Sequence, residues 1–320
     1  MKSWAIPAAA IVAVEYLTAL LIGAKVGFHY SIPFFTYFVV GLTIAGSGIA
    51  LWIVLLLGIY AKQGEPQPAR RLLAEGSPRF LAFLCGVVLV TLEMAVLMWL
   101  KVMLPISSPF WADPLLADVD AFIFRTDPWR LTHELLGWAG PVLDRMYVTW
   151  APAKFATLLF VLLQPEDRRK AQAIVAYFLM VCITAIGQYS LSSGGPIFYD
   201  RLGFGPRFEE LQFLPWVVTT SNYLWTDYLN AGGNIGGGIS AMPSLHVAVA
   251  LWIALVVRAY APKVQAIGWL YFASIFIGSV YLGWHYAADS IVAVVIALFA
   301  WAVSGAGAAR LERRRTALAS

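Results

Sequence analysis

Charge is scarce in this sequence. Only 12% of its 320 residues are Asp, Glu, Lys or Arg, too few to cover the surface of a water-soluble protein of that length. With 60% hydrophobic residues and a mean hydropathy of +0.74, the chain needs the bilayer as its solvent. Cysteine is almost absent. Cys85 and Cys182 both fall inside apolar runs, which argues against a disulfide framework and for small buried hydrophobes. A concentrated basic stripe with interleaved aromatics is also missing despite a formal charge of +4, so nucleic acid is excluded as a partner. The short alternating segments of a membrane β-barrel are absent, as is any internal repeat.

What is present is a series of apolar runs of roughly 20 residues, the length a helix needs to cross about 30 Å of hydrocarbon. The expected fold class is all-α: a polytopic membrane helix bundle with about eight transmembrane helices. The spans read as roughly 4–24, 33–60, 80–103, 142–163, 171–191, 241–260, 264–284 and 286–305. The first run follows Lys2 but is long for a signal peptide, contains Glu15 and lacks a small-residue cleavage site, so it reads as a retained helix.

Basic residues set the orientation of short loops. A cytoplasmic N-terminus gathers Lys2, then Lys62, Arg70, Arg71 and Arg79, then Arg168, Arg169 and Lys170, then Arg258 and Lys263, and finally Arg310, Arg313, Arg314 and Arg315 on one side. The other side keeps two long connections, about 104–141 and 192–240, which hold most of the acids. Both termini are then cytoplasmic and the long connections external. The expected location is a bacterial inner membrane, with the periplasm on the external side. Within the first connection, residues 118–138 form an amphipathic stretch suited to the interface. The second carries a glycine-rich segment from Gly232 to Gly238, which reads either as a rim over a site or as a flexible linker.

Four histidines occur, and this topology puts His246 and His285 at external helix ends. His246 ends the run Met242-Pro243-Ser244-Leu245-His246, where Pro243 suits a first helical turn and the turn's N–H groups offer an anion site, with Ser244 as an added donor. His285 and Asp289 are spaced i, i+4 on one helix face. The carboxylate can fix the tautomer of the imidazole and leave its other nitrogen free to attack. A second, protonated histidine can deliver a proton to a leaving alkoxide, an effect of about 10²–10⁴-fold. Each piece alone is commonplace: an interfacial His is often an anchor. An acid at the start of a span, however, needs a partner or a task.

Pro243-Ser244-Leu245-His246 with His285-Tyr286-Ala287-Ala288-Asp289 resembles the second and third signature motifs of the type 2 phosphatidic acid phosphatase superfamily, and most closely the branch containing inositol phosphorylceramide synthases. Asp120-Ala121-Phe122-Ile123-Phe124, Asp127-Pro128, Tyr147 and Ser193-Gly194-Gly195-Pro196-Ile197-Phe198-Tyr199 look like further features of that branch. The resemblance spans roughly residues 80–305. It implies a six-helix catalytic membrane core there, preceded by a helix pair and cytoplasmic loop (1–79) and followed by a basic tail (306–320). It also implies His285 as nucleophile, Asp289 as its orienting partner, His246 as general acid and Ser244 as a phosphate ligand, with no metal or other cofactor.

The sequence departs from the superfamily pattern in two places. Ser279 stands where an arginine usually precedes the third motif, and the first motif, a spaced Lys with Arg-Pro, has no clean counterpart. Another group must then neutralise the phosphate. Arg201 with Tyr199 is favoured, because they follow the Gly-Gly-Pro segment and Arg grips phosphate bidentately. Lys154 is the second choice, since a lysine in an apolar run is costly without a partner. Against these stand an interfacial anchor for Arg201 and a snorkelling side chain for Lys154. Glu15 and Glu93 read as protonated carboxyls hydrogen-bonded to another helix. His29 and His133, external but without matching acids, read as surface or interface residues.

The leading function is therefore an enzyme acting on a phosphate ester of a membrane lipid through a phosphohistidine. The acceptor is either water or a lipid or sugar hydroxyl. The competing class is a non-enzymatic transporter or lipid-binding protein whose polar residues only line a cavity. No ionisable residues recur along mid-span positions as an ion pathway would require.

Overall fold

Long stretches of Leu, Val, Ile and Ala without interrupting charge can satisfy their backbone groups in a bilayer only as helices. The computed structural model follows that rule, describing residues 3–28, 34–211, 214–230, 232 and 234–319. Lys2, His29 and Gly233, named above, lie outside the described residues. In chain order the helices are α1 (Ala5–Val26), α2 (Phe34–Lys62), α3 (Pro68–Ser107), α4 (Asp113–Phe124), α5 (Pro128–Leu136), α6 (Gly140–Tyr147), α7 (Trp150–Leu163), α8 (Arg168–Gly187), α9 (Pro215–Leu229), α10 (Leu245–Tyr260), α11 (Gln265–Tyr281) and α12 (Ala287–Ala319). Among the described residues there is no strand.

The expectation of about eight spans needs correction in number. Each expected run does meet a helix, but six described helices are long and apolar enough to cross a membrane, or seven if one bent pair is a single span. Two places account for the difference. The run read as 142–163 is interrupted: the segment Pro128–Tyr147 meets α7 at a bend of 47°. The run read as 241–260 becomes helical only at Leu245, and its 16 residues reach about 24 Å. The chain before α10 is irregular but buried within protein, the condition under which non-helical backbone is tolerated at depth.

Helix α10 is the centre of the bundle. Nearly every residue from Leu245 to Val256 is buried, as expected of a helix apolar all round. Trp252 is 1% exposed and donates its indole N–H to the Ala173 carbonyl (2.9 Å), joining α10 to α8. Helix α8 packs along α12, and α10 along α11, while α1 and α2 lean on α3. The α7–α8 turn is fixed by Lys170, whose ammonium donates to the carbonyls of Leu162 (2.7 Å) and Gln164 (3.0 Å) and pairs with Glu166 at 2.9 Å. At the opposite end of the bundle lie four helices too short to span: α4 packs on α12, α5 and α6 on α11, and α9 on α6.

Candidate active site

The amphipathic stretch 118–138 folds as the end of α4 and all of α5, with Phe122, Ile123 and Leu135 exposed. The buried side of α4 does something the sequence pattern alone does not announce. Asp113, in its first turn, accepts N–H bonds from Gly194 (2.9 Å) and Gly195 (2.8 Å) and the Tyr286 hydroxyl (2.9 Å). Asp120, two turns later, accepts from the N–H groups of Ala287 (2.6 Å) and Ala288 (2.9 Å), the first residues of α12. One short helix thus ties the Gly-Gly-Pro segment to the start of the helix that carries Asp289. Burial pushes both carboxyls up from the ordinary aspartate range, Asp120 to about 6, against the lowering effect of these bonds.

Gly195 must be glycine here. Its φ is +95°, and a Cβ on it would lie 2.4 Å from the Trp284 carbonyl oxygen. That close approach continues in the Ile197 N–H bond to the Gly283 carbonyl (2.8 Å), which holds the backbone just before His285.

The histidines meet. His285 Nε2 and His246 Nδ1 are 3.4 Å apart, with ring centroids separated by 5.6 Å. Asp289 Oδ2 lies 3.4 Å from His285 Nδ1, within ion-pair reach but short of hydrogen-bond geometry, and it accepts the Tyr286 N–H (3.0 Å). The backbone carbonyl of Asp289 receives the Ser244 N–H at 3.3 Å, so the starts of α10 and α12 are joined directly. Burial pushes the His285 imidazole down to about 3, with the Ala241 carbonyl opposing; its ring is held neutral and its lone pair is available at ordinary pH.

Pro243 does not open the helix, contrary to the expectation. Ser244 is the N-cap, in extended backbone, and its hydroxyl oxygen accepts the Val247 N–H at 3.4 Å. The proline therefore precedes the cap. The Ser244 oxygen serves the helix, leaving its O–H and the first-turn N–H groups of Leu245 and His246 as the donors of this end. Ser279, at the position of the superfamily's arginine, is buried and shares a hydrogen bond with Ser290 (2.9 Å), while its carbonyl accepts the His285 N–H (3.0 Å).

His246 sits between Tyr147, stacked at 5.0 Å, and Trp150, edge-on at 4.3 Å. Beside it opens a cavity of about 90 Å³, lined among others by Asp144, Tyr147, Trp150, Trp216 and Trp284. Asp144 accepts the N–H groups of Trp216 (3.1 Å) and Val217 (3.2 Å), anchoring α9 as the far wall.

Of the expected phosphate ligands, Ser244 caps α10 two residues before His246, with its N–H on the Asp289 carbonyl. Lys154 is one step removed: its buried ammonium lies over Trp150 (4.9 Å) and Phe155 (4.5 Å) and donates to the Met94 sulfur (3.4 Å), so it does not snorkel. Tyr199 is buried against Phe204 and Phe208, and Arg201 donates to Asn222 (2.8 Å) beside Trp225. Among the described residues no hydrogen bond or ring contact joins Tyr199 or Arg201 to either imidazole. His133 is tied to the Tyr281 carbonyl at 2.8 Å. Glu15 and Glu93 are buried; Glu93 has Lys154 and the Tyr177 hydroxyl of α8 beside it, in keeping with the expected contact to another helix, whereas the Glu15 carboxyl has no hydrogen-bond partner among the described residues.

No curated protein and no solved structure matches the chain. The family model described as PAP2 superfamily does match, over residues 115–303. That stretch opens inside α4, closes inside α12, and contains both histidines, Asp120 and Asp289. On this match the chain belongs to the PAP2 superfamily, a family of phosphatase-type phosphoesterases.

Proposed function

We propose that this protein is a membrane lipid phosphoesterase working through a phosphohistidine. The observation that carries the reading is the contact between His285 Nε2 and His246 Nδ1, with Asp289 behind the far nitrogen of His285. The His285 Nε2 lone pair attacks phosphorus, the P–O bond to the leaving alcohol breaks, and His246, which takes up a proton when the negative phosphate enters this buried site, delivers it to the departing oxygen. In the second half, His246 takes a proton from the incoming hydroxyl, whose oxygen attacks phosphorus, and the P–N bond breaks. Asp289 stabilises the imidazolium character of His285 in between. The 3.4 Å Asp289 contact is of the kind that tightens when substrate arrives.

A phosphoryl group reaching His285 would meet Ser244 and the first-turn N–H groups of α10, a favourable end for an anion. The aromatic slot beside His246 suits a lipid entering sideways from the bilayer. Positive-inside bias puts this end of the bundle on the external face. Resemblance to the ceramide head-group enzymes favours a lipid or sugar hydroxyl as acceptor, with lipid hydrolysis as the simpler outcome of the same first half-reaction.

The test uses the full-length protein in detergent with a panel of lipid phosphates, with and without a hydroxyl lipid such as ceramide. Wild type should release phosphate or exchange head groups, and His285→Ala should lose about 10³-fold or more, as expected for removal of a nucleophile. Equal rates in wild type and variant would sink the reading. Phosphate release indifferent to added acceptor assigns a hydrolase, and labelled product on the acceptor assigns a transferase.

A further inference from the structure

A lysine inside an apolar helix is costly unless its ammonium has a partner or a ligand. Lys170 has two carbonyls and a glutamate, and Lys154 has a sulfur and two aromatic faces. Lys101, near the end of α3, has no hydrogen bond or ion pair among the described residues. It lines a cavity of about 380 Å³ together with Asp227, Tyr228, Gly232, Gly238 and Ile239. That volume lies in the range of small-ligand sites, about 300–1,000 Å³.

The walls of this cavity are built around the lysine. Gly238 has a φ of +81°, and a Cβ on it would lie 2.8 Å from the Lys101 Cβ, so the glycine-rich segment closes over the stem of the side chain only because it is glycine. Asp227, the acid in the lining, already accepts the N–H of Asn234 (3.1 Å), the Asn234 amide (2.8 Å) and the N–H of Gly238 (3.1 Å). Its charge holds the loop in place, and the ammonium is left as the cavity's uncommitted charge. The cavity also adjoins the histidines: two residues past Ile239, Ala241 presents its carbonyl to the His285 ring, and the Lys101 charge bears on both imidazoles. Yet neither imidazole lines it. Whatever rests against Lys101 is therefore a neighbour of the reacting phosphorus and not the phosphorus itself.

We infer that the Lys101 cavity is a head-group subsite that takes an anionic, phosphate-bearing portion of a lipid substrate. The inference rests on the lipid phosphoesterase reading for its substrate, but its binding test does not.

The full-length protein in detergent is titrated by equilibrium dialysis with labelled glycerol 3-phosphate, with glycerol as the uncharged control. Lys101→Gln should weaken glycerol phosphate binding about tenfold or more, a loss of one charge-assisted contact. Lys101→Arg should stay near wild type, and His285→Ala should bind as wild type does. Binding that is unchanged in Lys101→Gln, or lost equally in His285→Ala, overturns the subsite. In turnover, Lys101→Gln should raise KM for lipids with anionic head groups and spare kcat. A fall in kcat at constant KM would instead place Lys101 on the reacting phosphate, against the inference. If wild type turns over no lipid phosphate while Lys101-dependent binding persists, the subsite stands and the enzymatic reading fails.

Discussion

Two sets of buried acids sit in this bundle and are treated in opposite ways. At the histidine end, Asp113, Asp120, Asp144 and Asp227 each accept at least two backbone N–H groups. In the helix interior, Glu15 and Glu93 are equally buried, but among the described residues neither carboxyl accepts a backbone N–H; Glu93 has only side chains beside it, Lys154 and Tyr177. The aspartates face loop segments and the first turns of neighbouring helices, where backbone donors are free. The glutamates lie in mid-helix, where every backbone donor is already paired. Placement therefore decides the role: the aspartates hold segments together, and the glutamates hold no backbone at all.

The sharpest way to break this comparison is at Asp113. Asp113→Ala strands the N–H groups of Gly194 and Gly195 and the Tyr286 hydroxyl. Each orphaned buried group costs about 1–3 kcal/mol, so the variant should lose several kcal/mol of stability, read as a large drop in thermal midpoint in detergent. Asp113→Asn keeps one acceptor oxygen and should recover a good part of that loss. If alanine and asparagine behave alike, the bonds are not what the carboxylate contributes.

These residues also mark what was legible in the sequence. His246, His285 and Asp289 could be found because their chemistry is rare in an apolar chain and their i, i+4 spacing is local. Asp120 and the Ser193–Tyr199 segment could be noticed only through family resemblance, since their bonds join residues far apart in sequence. Asp113 and Asp144 gave no signal, because an aspartate capping the backbone of a distant helix looks like any external acid. The span count overshot for a related reason: hydropathy sees apolar runs, but not that one is bent at 47° and another is helical for only 16 residues.

Asp120 comes next in size. Asp120→Asn leaves one oxygen for the two N–H groups that open α12, and since that end positions Asp289 and His285, activity should fall about tenfold, the order of one lost hydrogen bond. Its pH signature is separable from a general loss of packing. Burial raises the folded carboxyl to about 6, above an unfolded value of about 3.9. The protonated form therefore favours the fold, a contribution complete below about 3.9 and lost as pH rises through about 6. Thermal melts from pH 4 to 8 should show Asp120→Asn removing a step of that sign; a step unchanged in the variant assigns it to another group. Asp144→Asn should be milder, about 1 kcal/mol, and should show in substrate KM, because α9 forms the far wall of the slot beside His246.

The smallest effect belongs to the interior set. Glu15→Gln exchanges one buried polar group without a hydrogen-bond partner for another of the same volume, so the change in stability should stay below about 1 kcal/mol, less than the loss of a satisfied bond. Glu93→Gln differs in one respect, because Glu93 has Lys154 within electrostatic reach and Lys154 lies over Trp150, the ring that meets His246 edge-on. Removing that acid takes away the carboxyl that faces the ammonium, and the change should reach His246 as an altered pH profile of kcat. Equal silence in Glu15→Gln and Glu93→Gln would make both acids simple fillers. A response in Glu93→Gln alone would divide the interior acids as the aspartates divide from them, by what each one faces.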